Sequence, residues 1–98
     1  MDTIVSGVVY EWDDAKNMLN YSKHRIYFSD AIRVFDDPNR IVDYDRDHSD
    51  EEDRWKVTGM IDKILVVIYT DRLDRIRIIS ARRAEKDERR RYYGNRES

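Results

Sequence analysis

The sequence predicts a single α+β domain, with two short N-terminal helices packed on an antiparallel β-sheet and a basic C-terminal helix closing the chain. Three features predict it. Apolar residues recur at helical spacing through Ala15, Leu19, Ala31, Ile32 and Phe35; strand-like runs fill residues 54–82, joined by short turns; and Ala84 to Tyr93 is dense in arginine with two adjacent tyrosines. A chain of 98 residues buries only about 60 to 65% of its unfolded surface, which allows one core and places all of residues 1–98 in one domain. With 40% hydrophobic and 41% charged residues, that core must sit inside an unusually ionic coat.

Taken in order, Val8 to Trp12 reads as a short strand, after which Asp13 or Asp14 caps a helix through Ala15, Leu19 and Ser22 by accepting its unpaired backbone N–H groups. Lys23, His24 and Arg25 fall in the last turn, where cations meet the negative end of the helix dipole. Ser29 is the candidate cap of a second helix, which Pro38 stops. After a brief strand at Ile41-Val42, the stretch Asp43 to Asp53 is too charged to bury and reads as a solvated loop. Strands follow at Arg54–Ile61, Ile64–Thr70 and Arg75–Arg82, with Asp62-Lys63 and Arg72-Leu73-Asp74 as hairpin turns. The run Ile64 to Tyr69 is apolar at every position, so it belongs in the centre of the sheet with cover on both faces. Simple alternation in the last strand puts Ile76, Ile78, Ser80 and Arg82 on one face and Arg75, Arg77, Ile79, Ala81 and Arg83 on the other. A basic helix from Ala84 to Tyr93 completes the chain.

The chain has no cysteine, which excludes a disulfide framework, a thiolate zinc site and a cysteine nucleophile, and which suits a reducing interior. Its apolar runs are far shorter than the roughly 18 residues that cross a bilayer, and MDTIVSGVVYEW has no basic start leading into an apolar stretch. A cytoplasmic protein without membrane contact is expected. The net charge of −2 conceals a division. Residues 1–71 carry 16 acidic and 9 basic groups, whereas residues 72–96 carry 10 basic and 4 acidic ones. The C-terminal quarter therefore projects a positive field suited to phosphate or to an acidic protein.

Four fragments, EWDDAKNMLNYSKHRIYFSDAIRVFDDP, DHSDEEDRWKVTGM, ILVVIYT and DRIRIISARRAEKDERRRYY, occur in an order and spacing that resemble BrnT-type toxins, from about Tyr10 to Tyr93. The resemblance implies a RelE-like fold and ribonuclease activity that arrests growth. It also implies a BrnA-type antitoxin as partner, with operator DNA reached only through that antitoxin in a hetero-oligomeric complex.

Metal-independent RNA cleavage needs a base for the 2′-hydroxyl proton, an acid for the leaving oxygen, and cations for the charge that builds on phosphorus. With the resemblance in view, His24 is a candidate acid or base, since imidazole titrates near neutral pH; its plainer role is a helix-ending cation. Glu51, or Glu52 beside it, is a candidate base if burial lifts its pKa, although carboxylates in an acidic loop are usually solvated. Arg77 and Arg83, placed on one face by alternation, form the preferred phosphate clamp, with Arg82 as an alternative where alternation breaks at the strand end. Lys23, Arg54, Trp55, Arg75, Arg90 and Tyr92 are the candidates for RNA contact, Trp55 being equally a core residue. For each arginine a salt bridge to the acidic loop is the competing account.

No cofactor is expected. Asp43, Asp45 and Asp47 sit at the first, third and fifth positions of a calcium loop, but His48 replaces the glycine at the sixth and Arg54 the glutamate at the twelfth. Two other functions compete with the enzyme: a non-catalytic subunit of an autorepressing toxin–antitoxin complex, and a direct DNA binder. The second lacks any helix-turn-helix signal, since its terminal helix stands alone after a sheet.

Overall fold

A computed structural model describes residues 2–96, apart from the side chains of His48 and Arg96. Strands β1 (Asp2–Val5) and β2 (Val8–Glu11) lead into helices α1 (Asp14–His24) and α2 (Phe28–Ala31), the latter tightening into a 3₁₀ segment at Ile32–Asp36. Then come β3 (Ile41–Tyr44), a 3₁₀ turn at Arg46–His48, β4 (Trp55–Ile61), β5 (Lys63–Arg72), β6 (Arg75–Arg83) and α3 (Lys86–Arg96). The strands form one sheet in the order β1-β2-β6-β5-β4-β3.

The α+β class holds, and β5 lies at the centre as its apolar run requires. Two expectations about element order and sheet type do not hold. The helices are not the first elements, because Ser6 (φ 52°) and Gly7 (φ 80°) make a two-residue turn that pairs Val5 with Val8 and adds a strand before β2. The sheet is mixed, because β2 runs parallel to β6 through Tyr10↔Ile76 and Glu11↔Arg77. Beyond Arg77 the β2 side of β6 is taken over by α1, whose buried Asn20 accepts the Ala81 N–H at 3.1 Å and donates to the Ile26 carbonyl at 2.9 Å. One amide side chain thus stands in for a missing strand and ties the α1–α2 connection to the sheet.

Asp13 caps α1 as its position demands, its Oδ1 accepting from the Lys16 N–H at 3.0 Å. Ser29 does not cap α2: the cap position is Tyr27, and Asn17 Oδ1 accepts the Phe28 N–H at 2.8 Å. The strand expected at Ile41-Val42 runs on through Asp43 and Tyr44. Those polar residues remain in the ladder because Arg91 donates to both Asp43 oxygens, at 2.6 and 2.9 Å, and Tyr44 donates to Asp53 at 2.9 Å.

The register assigns every strand residue to a face. On one face Tyr10, Ile78, Ala81, Leu65, Val67, Tyr69 and Val57 pack against Trp12, Phe28, Ala31, Ile32 and Val34 to form the main core. Gly59 lies on this face where a Cβ would sit 3.0 Å from both Val34 Cβ and Val34 O, so the 3₁₀ segment rests directly on β4. On the opposite face α3 covers only one end of the sheet, through Tyr92, Ala84, Ile64 and Val66. Burying a ring such as Tyr92 contributes roughly 1.5 to 3 kcal/mol to holding that helix down. The rest of this second face has no helix over it, and it positions the site.

Candidate functional site

The last strand is irregular where alternation was expected. Ile68 faces Ser80 and Tyr69 faces Ile78, so Ile79 is an extra residue, a bulge that reverses the pattern after it. Arg77 pairs with Thr70 and Arg82 with Val66, which share the α3 face, whereas Arg83 pairs with Leu65 on the core side. The expected clamp of Arg77 and Arg83 is therefore corrected: the two point to opposite sides, and Arg82 takes the place of Arg83. The doublet Ile78-Ile79 in an otherwise alternating run was the sequence signal of this bulge.

The register brings Glu11, Arg72, Arg75, Arg77, Arg82 and Lys56 together on the α3 face. A cavity of about 340 Å³ opens there, floored by Ile68, Ile79 and Ser80 and walled by Arg54, Lys56, Arg82, Asp45 and Asp47. Thr70 and Val66 are four residues apart on β5, so Arg77 and Arg82 project about 13 Å apart along the sheet, on the two sides of the Ser80–Ile68 floor. The trough is longer than a single phosphate.

Two carboxylates organise its cations. Glu11, only 13% exposed, lies 3.3 Å from Arg72, 3.4 Å from Arg75 and 3.6 Å from Arg77. Glu88, on α3, receives two hydrogen bonds from Arg82 at 2.7 and 3.0 Å and sits 3.4 Å from Lys56. The Arg82 hydrogen bonds hold the Glu88 carboxyl at about 2 against the opposing effect of burial, with help from the Glu85 N–H and the Lys56 charge. Glu88 thus stays ionised near neutral pH and fixes Arg82 in place. The buried hydroxyl of Thr70, on the trough face, and the buried Nε of Arg54 have no hydrogen-bond partner among the described residues. Such atoms are costly unless something else pairs with them.

The remaining candidates fall elsewhere. Lys23 and His24 are exposed on the last turn of α1. Glu51 is exposed in the loop and lines a separate cavity of about 380 Å³ with Asp50, Glu52 and Arg54. Trp55 pairs with Tyr69 on the core face, edge to face with Tyr44 at 5.3 Å, away from the trough. Arg90 is exposed on α3, but Tyr92 is 2% exposed and donates to Asp37, which removes it as an RNA-contacting surface group. Arg75 lies beside Arg77, bound to Asp74, Asp2 and Glu11. The competing pairing with the acidic stretch is made by Arg72, which meets Glu52 at 3.4 Å, and by Arg91, which meets Asp43 at 2.6 Å, whereas Arg77 and Arg82 take their carboxylates from β2 and α3. Sequence reading passed over Glu11, Lys56, Thr70 and Glu88. Glu11 alone had a signal, a charge between the buried Tyr10 and Trp12. Among the described residues no group of three or more His, Asp or Glu side chains is placed to hold a metal ion, and no helix is long and apolar enough to cross a membrane.

Comparison with known proteins bears on this geometry. Residues 12–88 match the family profile described as ribonuclease toxin, BrnT, of type II toxin-antitoxin system. The crystal structure of the Brucella abortus ribonuclease toxin BrnT superposes with a TM-score of 0.58 at 24% identity, covering 76% of this chain and 94% of that one, which shows a shared fold. No curated protein matches the sequence. The profile spans most of the chain and includes β4, β5, β6 and Glu88, hence most of the trough, and the chain therefore belongs to the BrnT family of ribonuclease toxins of type II toxin–antitoxin systems.

Proposed function

We propose that the chain is a metal-independent endoribonuclease that cuts messenger RNA in the bacterial cytoplasm, arrests translation and growth, and is neutralised by a BrnA-type antitoxin through which alone the complex reaches operator DNA. One observation carries the reading: the Ile79 bulge turns Arg77 and Arg82 onto the same face of the sheet, where Arg82 shares a cavity with Arg54 and Lys56. The RNA backbone lies along the trough, its scissile phosphate over the Ser80–Ile68 floor, and the flanking guanidiniums neutralise the charge that builds on phosphorus. Glu11 accepts the 2′-hydroxyl proton once the RNA phosphates compete for the guanidiniums of Arg72, Arg75 and Arg77 that hold it. Lys56 protonates the leaving 5′-oxygen, being the trough cation able to release a proton, since guanidinium does not. His24 and Glu51 have no part in this arrangement. The RelE-like description suits a sheet whose open face carries the chemistry, and we extend it to this fold.

The test is cleavage of single-stranded RNA by the purified chain, freed of antitoxin, in excess chelator. The expected outcome is cutting by the wild type and a loss on the order of 100-fold in single-turnover rate for Arg77→Ala and for Arg82→Ala. Intact RNA with a folded wild-type chain would sink the proposal. A second reading, a non-catalytic subunit of a repressor complex, draws on the pairing of Arg77 with Glu11 and of Arg82 with Glu88. Under it both variants still assemble with antitoxin, and induction of the wild type leaves growth unchanged.

A further inference from the structure

Arg83, turned away from the trough by the bulge, enters a different cavity. About 350 Å³ in volume, it has Ile26, Ile61 and Leu65 as its apolar lining and Arg25, Arg33, Lys63 and Arg83 among its charged groups, together with Asp30 and Asp62. All six charged side chains are exposed, and no ion pair joins any two of them within 4.0 Å. This contrasts with Arg77 and Arg82, each held by a carboxylate at rest. Lys63 and Arg83 also line an adjoining cavity of about 270 Å³ that includes Arg89 and Tyr93, so the positive charge continues round the end of the sheet. Along β5 the position opposite Arg83 is five residues from the one opposite Arg77, about 17 Å at the usual rise. A single phosphate cannot touch both Arg77 and Arg83, and Arg82, although next to Arg83 in the chain, projects from the opposite face of the sheet.

We propose that this cavity is a second RNA subsite, separate from the trough, that holds one nucleotide of a single strand several positions from the cut. The inference rests on the trough being where cleavage occurs. An apolar floor accepts the face of a base or sugar, guanidinium and ammonium groups at the rim accept its phosphate, and Asp30 and Asp62 can accept hydrogen bonds from exocyclic amines. An acidic peptide would meet the same cations but its side chains offer no donors to the two carboxylates, whereas a base presents exocyclic amines beside its phosphate. A nucleotide is the ligand that uses both charge signs and the floor.

The experiment uses the whole chain and the variants Arg33→Ala, Lys63→Ala and their double mutant, all at exposed positions. Binding is measured by fluorescence anisotropy with 2′-O-methyl RNA, which cannot be cut, of about 4 and about 12 nucleotides, within the range of single-strand site sizes. The double mutant is expected to bind the longer strand roughly 10-fold more weakly, and its slope of log K against log salt is expected to fall by about 0.7 for each phosphate that is no longer neutralised. Binding of the shorter strand, and single-turnover cleavage of an unmodified RNA of the same length, are expected to be unchanged. Equal weakening for both lengths, or none for either, overturns the subsite. So does weaker binding of purified antitoxin with RNA affinity intact, which would make the surface a protein interface. Because anisotropy needs no turnover, failure of the wild type to cut RNA would count against the trough while binding still decides the subsite.

Discussion

Arg82 meets Glu88 through two hydrogen bonds, which makes the pair at once a joint between β6 and α3 and the means of aiming a guanidinium. Its pH dependence follows from the carboxyl being held at about 2 in the folded chain, below its ordinary 4.5, chiefly by Arg82. A lowered carboxyl pKa contributes stability that is complete above the unfolded value and is lost as pH falls toward the folded one. The wild type should therefore be more stable than Glu88→Gln at pH 6, and the gap should narrow below about 4.5 and close near 2. Urea midpoints of both proteins across that range would show it. A gap that does not change with pH would mean that Glu88 acts through shape alone. At the same scale, a single extra residue, Ile79, decides which of two adjacent arginines faces the trough.

Among the elements, α3 is fastened by more than its ring. Asp37, at the end of the 3₁₀ segment, accepts from the Tyr92 hydroxyl, from the Met60 N–H at 2.8 Å and from the Asn39 N–H at 2.8 Å. Burial would raise its pKa, but these donors and the Arg40 charge outweigh burial and lower it. One carboxylate thus joins β4, α3 and the segment that packs on the core. Asp37→Asn replaces an acceptor pair with one acceptor and one donor, and it should cost about 2 kcal/mol in chemical denaturation, more than a surface substitution. It should also loosen α3, read as faster amide exchange in Lys86–Arg96. Destabilisation spread evenly over the chain would argue against a latch between these elements. The stacking of the 3₁₀ segment on Gly59 works in the same direction, since no side chain there keeps the two backbones apart.

Across the whole molecule, stability is expected to be uneven. The β1–β2 hairpin reaches the sheet through only two parallel register positions and exposes Ile4 and Val8, whereas β5 is paired on both sides and buried from both faces. Amides of β1 should exchange on the order of 100-fold faster than those of β5 under native conditions. Equal protection would show that the hairpin is an integral part of the fold.

Much of the molecule could be read before folding. Asp13 and the spacing of apolar residues foretold α1, the short turns foretold the hairpins β4–β5–β6, and the unbroken apolar run foretold a central strand, because these depend on local sterics, capping and solvation. The site was legible only as composition. That arginines of the closing strand matter was visible from charge, but their faces depended on a register fixed by packing Ile78 and Ala81 into one core. Glu11 and Glu88 are far apart in sequence from most of the cations they hold, and no local pattern could assign them. Tyr92 looked like a surface stacking group because the face a helix buries is set by what it lands on. Local chemistry therefore determined which elements form and what charge they carry, while long-range strand pairing and core packing decided which side chains share a surface: a shift of one residue in a strand exchanges its two faces.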